Sequence, residues 1–113
     1  MAGKRGGLHS YTVQEAQNSS MGQVGSVFLD VDATTFTPST GVVVAITMLS
    51  DCNFDILTPE DSAKYIGIPS LTGYEAGGDT LAITDVFPEG LTIYGRWTSV
   101  SVNTAGSCIC YVG

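Results

Sequence analysis

From Gly25 onward, apolar and polar positions alternate in short runs divided by Gly and Pro, which is the two-residue period of β-strands rather than the 3.6-residue period of helices. VFLDVD, Val27 to Asp32, alternates, with Asp30 and Asp32 outward and Phe28, Leu29 or Val31 supplying the buried side. FTPSTG follows, and its Pro38 and Gly41 mark a turn. GVVVAITML is an almost unbroken β-branched run and predicts a central strand buried on both faces. FDIL, residues 54–57, predicts another short strand. LTIYGRWTSVSV predicts a longer one, in which Gly95 marks a bulge or a close approach of another group. DTLAITDVF alternates as well, placing Leu81, Ile83 and Asp85 on one side. Pro88 and Gly90 form a turn, Asn103 to Gly106 another, and SCICYV closes the chain as a strand.

Two segments break the β pattern. TPEDSAKYIG predicts about two turns of helix at most, with Thr58 as N-cap, Pro59 at the first helical position, two acids next, Lys64 late and Gly67 as stop. GIPSLTGYEAGGD predicts an irregular, exposed loop. About five to seven short strands and at most one short helix define an all-β fold, a small β-sandwich or barrel.

Residues 1–24 differ from the 25–113 body. MAGKRGGLHSYTVQEAQNSSMGQV has too few apolar residues to bury a core of its own and reads as an extended N-terminal arm or a solvated tail. Within LHSYTVQ, Leu8, Tyr11 and Val13 are candidate anchors with which the arm could add a strand to a neighbour's sheet edge.

Composition changes the picture at the surface. Hydrophobic residues make up 43% of the 113 and charged residues only 13%, against about 25% charged in an average soluble protein. The surface is therefore built of Ser, Thr, Asn, Gly and exposed apolar groups, and such surfaces are commonly covered by a partner. The net charge of −7 rests on eleven acids against Lys4, Arg5, Lys64 and Arg96. A body this acidic repels nucleic acid. No apolar run reaches the ~18 residues of a membrane span, and the absence of an apolar leader together with an odd cysteine count predicts synthesis in a reducing cytoplasm.

Candidate chemistry is sparse. Asp30-x-Asp32 after apolar residues has the form with which haloacid-dehalogenase-like phosphotransferases open their active site. That chemistry needs a parallel strand followed by a helix whose N–H groups meet the phosphate, and here another strand follows. Asp30 and Asp32, or Glu75 and Asp79, are also carboxylates of the kind that hold Ca²⁺, although solvated surface acids are the simpler reading. Cys108 and Cys110 share a strand face, but with Cys52 and His9 they match no standard zinc spacing, and the plainer expectation is a buried pair on the core side. No cofactor is implied. Tyr94, Trp97 and Tyr111 are candidates for a core or an interface, or for a sugar-stacking platform.

The last third, VFPEGLTIYGRWTSVSVNTAGSCICYVG, resembles the C-terminal signature of small β-rich virion structural proteins of tailed bacteriophages, of the marine and cyanobacterial phage type. Phe87, Pro88, Gly90, Ile93, Tyr94, Gly95, Trp97, Thr98, Ser99, Tyr111 and Gly113 carry the match, and VDATTFT, Val31 to Thr37, resembles an earlier element of that group. The segment from Asn103 to Cys110 departs from the pattern. The resemblance implies a non-enzymatic virion component with no catalytic residues. The leading expectation is a capsid decoration or cement protein, made in the host cytoplasm, that binds the major capsid protein and clusters as a trimer or dimer. A tail, neck or fibre-adaptor component that binds another virion protein is the alternative, and a host-glycan-binding module is a third reading.

Overall fold

A computed structural model describes residues 24–69 and 71–113. Five strands follow in chain order: β1 (Gly25–Asp30), β2 (Val43–Met48), β3 (Phe54–Pro59), β4 (Thr92–Val102) and β5 (Ser107–Val112). All pairings are antiparallel, in one sheet of order β1-β5-β2-β4-β3. The architecture is all-β and fits a small β-sandwich or barrel. The nine-residue apolar run does form the central strand: Val43, Val44, Ala45, Ile46 and Met48 of β2 are all buried.

Strand β4 explains how one sheet encloses a core. Its first half pairs with β2 and its second half with β3. Val43 faces Trp97 while Ala45 faces Tyr94, so β4 carries one residue more than β2 at Gly95–Arg96. Thr58 faces Ser99 while Pro59 faces Trp97, which puts a second extra residue at Thr98. Bulges of this kind bend a strand and raise its twist, and they are how a strand turns a corner between layers. Beyond the second bulge, Phe36 and Val100 exchange both backbone hydrogen bonds, at 2.8 and 3.0 Å, so the segment after β1 takes up the edge that β2 leaves free.

The core lies inside this fold. Val27 and Leu29 of β1, Ile46 and Met48 of β2, Phe54 and Leu57 of β3, Ile93, Trp97 and Val100 of β4, and Cys108 and Cys110 of β5 pack together. Phe87 closes one end. It exchanges backbone hydrogen bonds with Cys52 at 2.8 and 2.7 Å and meets the Phe54 ring edge-to-face, with centroids 5.4 Å apart. Gly95 is a close approach as well as a bulge, since a Cβ there would sit 2.7 Å from the Trp97 ring.

Several expectations are corrected. Residues 58–67 form no helix. Thr58 and Pro59 end β3, and Asp61 then closes a single turn, its carboxylate accepting the Ala63 N–H at 3.0 Å. Pro59 is tolerated because β3 is an edge strand. DTLAITDVF forms no strand either. Asp85 Oδ2 accepts the Ala82 N–H at 2.8 Å and the Asp85 N–H donates to the Ala82 carbonyl at 3.0 Å, turning the chain there. Of this stretch only Phe87 reaches a β partner. The expected exposed loop is part core: Ile68 is fully buried and bridges Leu57, and the one helical element among the segment's described residues is a 3₁₀ turn, Tyr74–Ala76. Among the described residues no helix is long and apolar enough to cross a membrane.

Candidate functional site

Register and burial together separate the two faces of the sheet. In β1 the inward residues are Val27 and Leu29, so Phe28 points the other way and is 56% exposed. Val31 is exposed too, which corrects the expectation that either residue supplies the buried side. Across the sheet, Phe28 pairs with Ile109, Ile109 with Thr47 and Thr47 with Thr92. The next row runs from Ser26 to Tyr111, Ala45 and Tyr94.

These two rows form an outer face of aromatic, aliphatic and hydroxyl side chains without a charge. Tyr94 is 67% exposed, Tyr111 and Ile109 are half-buried, and Ala45 is covered between the two tyrosine positions. Thr47 and Thr92 satisfy each other at the β4 end of the first row, Oγ1 to Oγ1 at 2.9 Å. Cross-strand pairing of this sort holds side chains in a fixed array. The face can thus offer pre-ordered apolar contact and tyrosine hydroxyls to another surface, as interfaces enriched in Tyr and Phe do. The next row along begins with Asp30, opposite Ser107.

Of the aromatic candidates, Tyr94 and Tyr111 share this face and Trp97 does not. Trp97 is fully buried on the core side, and its Nε1–H donates to the Ile66 carbonyl at 2.8 Å. It offers no surface to a sugar ring, so the platform of Tyr94 with Trp97 is not formed. Phe28, Ile109, Thr47 and Thr92 were not expected at a site. The signal for Phe28 was present, since two-residue alternation puts it in phase with Asp30 rather than with Leu29. The anchors Leu8, Tyr11 and Val13 lie outside the described residues.

No helix follows the acid pair, since the next element after β1 is β2. Asp30 ends β1, and its Oδ1 accepts the Asp32 N–H at 3.0 Å while its carbonyl accepts the Ala33 N–H at 3.1 Å. Asp30 is therefore the last residue of the strand, as expected, whereas Asp32 lies in the turn that follows and not in a continuing strand. Cys52, Cys108 and Cys110 are free thiols buried in the core. Cys52 donates to the Ser107 carbonyl at 3.1 Å, and burial, with Cys108 alongside, pushes its thiol up to about 11. Interaction with Cys110 and burial push Cys108 up as well. Raised thiols are poor nucleophiles and poor metal ligands, because both roles need the thiolate. Among the described residues no group of three or more His, Cys, Asp or Glu side chains is placed to hold a metal ion. Arg96 and Glu60 form an exposed ion pair at 2.6 Å, which lowers the Glu60 carboxyl; solvent screens such pairs and they contribute little to stability.

The geometry defines an all-β domain with an uncharged outer face. No protein-family model, curated protein or solved structure matches this chain.

Proposed function

We propose that this chain is a non-enzymatic structural subunit of a tailed-phage virion, a decoration protein on the capsid exterior that docks on the major capsid protein. The observation that carries this reading is the charge-free outer face with Phe28, Ile109, Tyr111 and Tyr94 in two registered rows. A domain with ten acids among residues 24–113 that keeps these two rows free of charge has a surface suited to burial against protein. The resemblance of the C-terminal segment to virion structural proteins supplies the setting. The mechanism is mass action: a subunit that binds only the assembled shell stabilises it by its binding free energy, repeated at every site.

Copy number tests the reading. Quantitative mass spectrometry of purified virions against the major capsid protein is expected to give hundreds of copies in a simple ratio to the capsid subunit. A dozen or a few dozen copies would move the chain to the tail, neck or fibres, and a chain missing from the particles would end the virion reading altogether.

A further inference from the structure

β1 lies at one edge of the sheet and pairs only with β5 among the described residues. The other edge strand, β3, is partly covered, because Leu57 and Ile68 exchange both backbone hydrogen bonds at 3.1 Å. β1 lacks the features that usually blunt an open edge. GSVFLD contains no Lys and no Pro, its register with β5 runs without a bulge, and its one charge, Asp30, stands at the end. Beside this edge opens a groove of about 340 Å³ whose apolar lining includes Val24, Val27, Phe36, Pro38 and Val112, with no charged residue in the lining. That volume is at the small end of the range for ligand pockets, about 300–1,000 Å³, and suits a few apolar side chains.

Reach and charge identify the occupant. Val24, at the groove, is preceded by 23 residues. Val13 stands eleven residues before Val24, a stretch that spans at most about 36–40 Å. A body of this size has a radius of gyration of about 12 Å and is roughly 30 Å across. A hairpin onto the chain's own β1 that used Tyr11 and Val13 would need a connection of about eleven residues, against the usual two to five. A tighter hairpin would present Gln14 to Gln23, whose apolar side chains are only Ala16 and Met21. Residues 1–23 carry Lys4 and Arg5 against Glu15, a net charge of +1, whereas residues 24–113 carry ten acids against Lys64 and Arg96, a net charge of −8. Bodies repel one another, and the N-terminal segment is drawn to a body. Antiparallel addition to β1 would set Val13 near Gly25, Leu8 near Asp30, and Arg5 and Lys4 just beyond, near Asp32.

We infer that residues 8–13 of one copy add antiparallel to the open edge of β1 in a second copy, seating Tyr11 and Val13 in the groove and bringing Lys4 and Arg5 to the acidic turn at Asp32. Main-chain hydrogen bonds supply affinity in such additions and the alternate side chains supply specificity. The inference goes beyond the virion reading, and its test uses the purified full chain without any particle, so either can fail without the other.

Sedimentation velocity over a range of concentrations should show the full chain associating, more weakly as salt rises. Tyr11→Asp with Val13→Asp should weaken association by at least about tenfold, because each charge would enter an apolar groove, while circular dichroism stays that of the parent. A second measurement fixes the geometry. Thr12→Cys and Ser26→Cys chains, one carrying a size tag, are mixed and treated with a short bis-maleimide; the three native thiols are buried. A cross-linked pair holding one chain of each kind is expected. A monomer at every concentration, association unchanged by the double substitution, or a cross-link that forms only within a doubly substituted chain would each overturn the proposal.

Discussion

Trp97 and Tyr94 stand three residues apart in β4 and on opposite faces of the same sheet, one fully buried and the other 67% exposed. The odd spacing puts them on opposite sides, so a single strand serves two purposes. On the core side Trp97 fills volume and finds a carbonyl for its N–H. On the outer side Tyr94 closes a row of uncharged residues that the fold does not need covered for its own stability. The two faces should therefore respond to substitution in opposite ways, with core changes read in stability and outer-face changes read in binding.

The largest break of that contrast is Trp97→Ala. It empties the centre of the core and leaves the Ile66 carbonyl unpaired, and large aromatic truncations of this kind cost about 3–5 kcal/mol. For a domain whose total stability is about 5–15 kcal/mol, a denaturant midpoint should drop by about a fifth or more, or the domain should not fold. A midpoint within error of the parent would mean that Trp97 is not the keystone of the core. Gly95→Ala follows. Its Cβ would press the Trp97 ring at 2.7–2.8 Å, and overpacking costs about 1–3 kcal/mol. A double variant of Gly95→Ala with Trp97→Phe should lose less than the two single changes together, because the smaller ring clears the new methyl.

These residues also mark what was legible beforehand. Gly95 inside an apolar strand pattern signalled a bulge or close contact, and both are there. The β-branched run signalled the central strand, since only a strand buried on both faces tolerates so little polarity. The failures share one cause, that local signals were read without knowing which backbone had a partner. Thr58-Pro59 looks like a helix start, yet β4 offers Ser99 and Trp97 as pairing partners and the strand runs on through Pro59. DTLAITDVF has strand alternation but no neighbouring edge until Phe87 meets Cys52. The outer face was half visible, because Tyr94 and Tyr111 stood out as aromatics, but their register with Phe28 and Ile109 is a long-range property. No local pattern encodes it.

A smaller effect comes from alkaline pH. The unfolded chain gives up a cysteine proton at about pH 8.5–9, whereas folding raises the Cys52 thiol to about 11. The neutral thiol is favoured in the folded state, so this contribution is fully present below about pH 9 and is lost as pH rises toward about 11. The slope is at most about 1.4 kcal/mol per pH unit for one thiol, and Cys108 shifts in the same direction. Urea midpoints measured from pH 7 to 11 should be level and then fall. Cys52→Ala should start lower, because of the small cavity, and fall less steeply; an identical slope would show that the loss comes from other groups.

The smallest change in stability is expected on the outer face. Phe28→Thr and Tyr94→Thr keep a residue suited to strands and remove surface that is already more than half exposed, so each should shift stability by less than about 1 kcal/mol. If the face is where the domain meets the shell, the same changes remove aromatic anchors, for which about 2 kcal/mol or more per residue is the mark of a binding hot spot, or roughly thirtyfold in affinity. Co-sedimentation of each variant with particles stripped of this chain separates the two quantities. Unchanged binding with unchanged stability would clear Phe28 and Tyr94 of any docking role and shift attention to the edge of β1. Lost binding with unchanged stability would show that β4 divides its residues between holding the domain together and holding it to something else.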